Sequence, residues 1–80
     1  MSFFDDMPLS TKVNLLEQAR MQLATELTSI LLRHAIDPSV FDIEDEEAME
    51  NYALDGDIYR VEQVCDGLKI IATKLVALGV

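Results

Sequence analysis

The side chains here with the potential for chemistry are a single histidine, His34, a single cysteine, Cys65, and a run of carboxylates between Asp37 and Asp57. A nucleophilic thiol needs a base beside it or an electropositive setting, but Cys65 falls among Val61, Val64 and Leu68, on what reads as the apolar arc of a helix. It is expected to be a small core residue. His34 has no second histidine to share a metal with and no Glu-x-x-His spacing around it. Its place at the end of a helix predicts contact with the last carbonyls and the negative end of the helix dipole. The chain also lacks a glycine-rich phosphate loop, a nucleophile elbow and a zinc-binding helix motif. No catalysis, cofactor, metal site or small-molecule substrate is expected.

The carboxylates are Asp37, Asp42, Glu44, Asp45, Glu46, Glu47, Glu50, Asp55 and Asp57, with no Lys or Arg between them. Asp42, Glu44 and Glu46 alternate as in a calcium-binding EF-hand loop, but Glu47 stands where that loop needs glycine and Ala53 where it needs a bidentate glutamate. The calcium reading fails on those two positions. The plainest alternative is a capped, solvated acidic helix. Two binding readings remain beside it. In one, Asp42, Glu44, Asp45, Glu46, Glu47, Glu50, Asp55 and Asp57 form an acidic face that meets a basic surface on a protein partner. In the other, the same carboxylates mimic a phosphate backbone and block a DNA- or RNA-binding protein.

The formal net charge of −9 on 80 residues disfavours direct binding to nucleic acid or to an anionic membrane surface. The N-terminal residues show no basic, then apolar, secretory pattern, and the apolar stretch from Leu68 to Val80 is too short and too often interrupted by lysine to cross a bilayer. A cytoplasmic, soluble protein is expected. Half of the chain is hydrophobic, which is more than so small a single domain can hide. Part of that surface is expected to meet a partner.

These residues call for an all-α fold: a small helical bundle of two long antiparallel helices and one short acidic helix, in a dimer. The domain spans 1–80, with a tail over 1–7 and helices over about 9–35, 43–54 and 58–78. In the first helix Leu9, Val13, Leu16, Arg20, Leu23, Leu27, Ile30 and His34 alternate at spacings of four and three, the seam of a helix packed on other helices. Pro8 suits its first turn, Asp6 or Ser10 can cap it, and Asp37-Pro38 is expected to end it. In the acidic helix, Asp42 can serve as N-cap, Ala48, Met49, Tyr52 and Ala53 make a narrow apolar edge, and Gly56 closes it. Asp57 is placed to cap the last helix, whose apolar arc is wider than one neighbour needs.

The seam residues Leu16, Arg20, Leu23, Leu27, Ile30, Leu68, Ile71 and Leu75 are therefore the candidate oligomer or partner interface. Arg20 interrupts the seam and reads either as a packed stem with its guanidinium meeting a carboxylate such as Glu62 or Asp66, or as a partner-specifying charge. Gly67 either permits close helix approach or merely weakens the helix. Phe41 is expected to anchor the acidic segment, and Tyr52 and Tyr59 to flank its joint with the last helix. Phe3 and Phe4 either fold back on the core or form an exposed apolar handle.

Overall fold

In the computed structural model, which describes residues 3–45, 47, 54 and 56–79, two long helices run antiparallel and carry most of the chain. Helix α1 is Leu9–Arg33, a 3₁₀ turn follows at Pro38–Val40, and helix α2 is Ile58–Ala77. The expected short acidic helix over 43–54 lies largely outside the described residues.

The seam explains the pairing of the helices. Leu27, Ile30 and Leu31 of α1 are buried against Val61, Val64 and Cys65 of α2, with Leu54 from the connection closing over them. Leu31 is 1 % exposed and Val61 and Val64 are fully buried. Ile36, Phe41 and Ile43, all in the connection, pack against the same cluster. Phe41 is thus an anchor for the acidic segment. This half of the molecule has three layers: two helices and the strap of chain that joins them.

The other half, where α1 begins and α2 ends, has only the two helices. Across Leu9–Glu26 no residue of α1 is fully buried, although Leu9, Val13, Leu16 and Leu23 continue the same seam. Facing them on α2, Ile71 and Leu75 are buried. Gly67 makes a close approach possible, because a Cβ there would lie 2.8 Å from Leu23 Cδ1. A larger side chain would have to displace Leu23 or spread the helices.

Pro8 serves as N-cap of α1 with no side-chain cap, so neither Asp6 nor Ser10 takes that role. The helix ends before the expected Asp37-Pro38 stop. The Ile36 N–H donates to the Leu31 carbonyl at 2.9 Å and the Ala35 N–H to the Leu32 carbonyl at 3.1 Å, the paired bonds of a Schellman motif. Ala35 holds the left-handed turn at φ 58, whereas α2 finishes at Gly79, with φ 79, in the position that glycine fills at least cost. Ile36, one residue on, packs against the core that Leu31 belongs to, and that contact holds the alanine in its disfavoured region. Replacing Ala35 by glycine is expected to stabilise the fold by about 0.5–1 kcal/mol, relief of left-handed strain outweighing the added unfolded-chain entropy. An unchanged or lowered thermal midpoint would contradict it.

Asp37 then opens the 3₁₀ turn by accepting hydrogen bonds from the Ser39 N–H at 2.9 Å and the Ser39 hydroxyl at 2.8 Å. Those bonds, first from the backbone and then from the side chain, hold its carboxyl below the ordinary aspartate range. No helix among the described residues is long and apolar enough to cross a membrane.

Candidate interaction surfaces

Two surfaces are built from these elements, one charged and one apolar. The charged one is the connection. Asp42 Oδ1 accepts from the Glu44 N–H at 2.9 Å, and the Asp45 N–H donates to the Asp42 carbonyl at 3.2 Å, so Asp42 folds its own turn. Asp42, Glu44, Asp45 and Glu47 are exposed, while Ile43 between them turns inward to the core. Glu46, Glu50 and Asp55 lie outside the described residues, as does the whole expected apolar edge of Ala48, Met49, Tyr52 and Ala53. Among the described residues no three of His, Cys, Asp or Glu converge to hold a metal ion.

Asp57, the last of the acidic set, does not cap α2 with its side chain. Its Oδ2 lies 2.9 Å from His34 Nε2 and 3.3 Å from Arg33, on the end of α1. Two cationic or donor groups one helix away outcompete the local N–H donors for the same oxygen. His34 thus joins the ends of the two helices rather than only meeting terminal carbonyls. Its own N–H still donates back to Ile30 and Leu31, so the backbone closes the helix and the ring closes the hairpin. Asp57→Ala is expected to cost about 1 kcal/mol, a charge-assisted bond discounted for partial exposure. In a double-mutant cycle with His34→Ala, additive losses would contradict the pairing.

A second bridge crosses the helices on another face. Arg60 donates from Nε to Glu26 Oε2 at 2.6 Å and from Nη2 to Glu26 Oε1 at 2.9 Å, a two-pronged carboxylate clamp. The hydrogen bonds from Arg60 pull the Glu26 carboxyl below its ordinary range, and the same bonds raise the Arg60 guanidinium. Nothing in the spacing of either residue announces this pair, because both lie off the apolar seam and 34 positions apart. Only the antiparallel register brings them together.

The apolar surface divides along the hairpin. Leu27, Ile30, Ile71 and Leu75 of the candidate interface are buried within the single chain, and Leu16, Leu23 and Leu68 are half-buried. Arg20 is exposed and pairs with Glu17 one turn away, not with Glu62 or Asp66 of α2. Beyond the seam, Met21, Tyr59, Ile70 and Val76 are large apolar side chains left in the open, Val76 at 76 % exposure. The N-terminal aromatics split their roles. Phe3 is exposed, whereas Phe4 lies half-buried with Lys12 Nζ 5.7 Å from its ring centroid, a cation–π contact. An open depression on the outer side of α1 is lined, among the described residues, by Gln18, Met21, Gln22 and Thr25. None of these four carries a charge or a strong nucleophile.

Cys65 is buried and free, on the inner side of α2. Burial raises its thiol above the ordinary range, against a smaller opposing pull from Lys69. A thiol so placed is a packing residue, not an activated nucleophile. No protein-family model matches the chain, and no curated protein or solved structure shows significant similarity to it.

Proposed function

We propose that the chain is a small acidic regulatory or adaptor protein, of the inhibitor, co-chaperone or antitoxin kind, that works by protein–protein binding without catalysis and as a homodimer. The acidic connection is its partner-binding surface. The observation that carries this reading is the way the connection is held: Ile36, Phe41, Ile43 and Leu54 pin it to the core while Asp42, Glu44, Asp45 and Glu47 stay exposed. A charged segment anchored from within loses little conformational freedom on binding, so more of the contact energy appears as affinity. A partner with a basic surface complements it, and the charge speeds encounter as well as selecting against acidic competitors.

Affinity capture from the native cell tests this, comparing the natural chain with a variant carrying Asp42→Asn, Glu44→Gln, Asp45→Asn and Glu47→Gln. All four positions are exposed, so the variant is expected to keep its helical content. A protein partner retained by the natural chain and lost by the variant supports the reading. Equal retention by both would remove the acidic connection from the binding surface. If the captured partner is a nucleic-acid-binding protein whose retention falls steeply with salt and is competed by DNA or RNA, the nucleic-acid mimic replaces the adaptor.

A further inference from the structure

The two-layer half of the hairpin is unfinished in a way that a second copy of the chain would complete. Cys65 on α2 is buried in the cluster that the connection packs against, and Ala72 and Val76, seven and eleven positions on, continue its stripe toward the open end, where both are exposed. On α1, Leu31 is covered in the same way, and Ala24 and Val13, seven and eighteen positions before it, continue its stripe half-buried. The strap therefore covers one half of a face and leaves a step where it stops. The uncovered half carries Val13 and Ala24 from α1 and Ala72 and Val76 from α2, with the Arg20–Glu17 ion pair on the same stripe of α1 between Val13 and Ala24.

The size of the shortfall points the same way. The chain exposes 5605 Å². Surface scaling gives about 4,900 Å² for a compact monomer of this mass, and a standard interface removes about 800 Å² from each partner. The surplus of about 700 Å² is close to one side of such an interface. The radius of gyration, 14.4 Å, likewise exceeds the roughly 11.6 Å of a compact domain of this length.

Charge selects the orientation. The connection holds nine carboxylates and no Lys or Arg, whereas the two-layer half carries Lys12, Arg20, Lys69 and Lys74, offset by Glu17 and Glu26 on α1, Asp66 beside Gly67, and Asp5 and Asp6 just before α1. Side-by-side parallel packing would set two strongly acidic connections against each other. Antiparallel packing separates them and places each at the end of the other copy whose charges nearly cancel.

We propose that two copies of the chain form an antiparallel lap joint, the two-layer half of each seated on that of the other and its open end abutting the other's acidic connection. This rests on the self-association proposed above and assigns the apolar face to it, which leaves the outer carboxylates of the connection for the partner protein. A two-fold axis through the overlap makes the contact self-complementary and closed, so the joint ends at two chains.

Sedimentation equilibrium at micromolar concentration is expected to give twice the chain mass, with Val76→Asp folded by circular dichroism and its dimer dissociation constant raised by about 100-fold or more, since each copy would bury an unpaired carboxylate. A natural chain that stays monomeric overturns the joint, as does a Val76→Asp variant that dimerises unchanged. Spin labels on Ser39→Cys, with buried Cys65 unlabelled, read the orientation. Label separations longer than the 42 Å extent of one chain are expected, and separations near half of that would overturn the antiparallel arrangement. Partner capture is read separately. A natural chain that captures its partner as a monomer sinks only the joint, and one that dimerises as described but captures nothing sinks only the adaptor reading.

Discussion

Leu31→Ala is expected to lower the urea midpoint, followed by helical circular dichroism, to about half its value or less. Leu31 sits at the meeting point of α1, α2 and the connection and is 1 % exposed. Removing a buried leucine side chain costs about 2–5 kcal/mol, the higher values where surrounding atoms cannot collapse into the space. Here the neighbours are two helices tied together by the Asp57–His34 contact and the Arg60–Glu26 clamp, which limit collapse. A domain of this length has total stability of about 4–12 kcal/mol, so the substitution removes a large share of it. The Leu31 carbonyl also accepts the Ile36 N–H that closes the α1 terminus, so loosening this side chain loosens the stop itself. Leu9→Ala, on the same seam but 54 % exposed, is expected to shift the urea midpoint far less. Equal shifts for the two would mean that the core is not concentrated at the connection.

The second large effect concerns Cys65, whose alkylation by iodoacetamide in the native protein is expected to be slower than in urea by a factor of about a thousand or more. Two causes close the direct route in the folded state. The reagent needs access, and the thiol is buried. The thiolate is the reacting form, and burial pushes the thiol above its ordinary range, so less of it exists at any given pH near neutrality. Reaction then proceeds through openings that uncover α2 and lower the thiol toward its ordinary value. The labelling rate should therefore report the stability of the three-layer half, and Leu31→Ala should raise it sharply. Fast labelling of the folded chain would place Cys65 at the surface.

How far the residues announce the fold depends on whether the cause is local. The four-and-three spacing of Leu16, Leu23, Leu27 and Ile30 states the face of α1, because helix periodicity is a property of the segment alone. The break before α2 is equally plain from Gly56 and Asp57. The end of α1 is not, since Ala35 is a poor choice for a left-handed residue and is held there by the packing of Ile36. Asp57 illustrates a competition: its position beside a helix start suits capping, but the tertiary fold offers it His34 and Arg33 instead. For Gly67, close approach and helix weakening look alike until Leu23 is seen 2.8 Å from where a Cβ would stand.

The candidate surfaces follow the same division. Carboxylates clustered in sequence remain clustered in space wherever the chain is anchored, so Asp42, Glu44, Asp45 and Glu47 were legible as a charged surface. The apolar seam was legible as a stripe but not as two halves. Which part of it is covered depends on where Ile36, Phe41, Ile43 and Leu54 come to rest, and that is decided by chain geometry beyond any periodicity. Exposed Val76 and half-buried Val13 look the same as Val61 and Val64 until the strap is placed.

Concentrating the core beside the connection also sets the order in which the hairpin is made. Contacts such as Leu31 with Val61 close a loop of about thirty residues, whereas contacts between Leu9 and the end of α2 would close one of about seventy, at a further cost of roughly 0.7–1 kcal/mol if formed first. The near contacts bury the most apolar surface for the least closure entropy, so the helices are expected to zip from the connection outward. Each later turn then adds to a register already set, with no new loop to close. Mutations near Leu31 and Val61 should slow folding, and mutations near Leu9 and Val76 should mainly hasten unfolding.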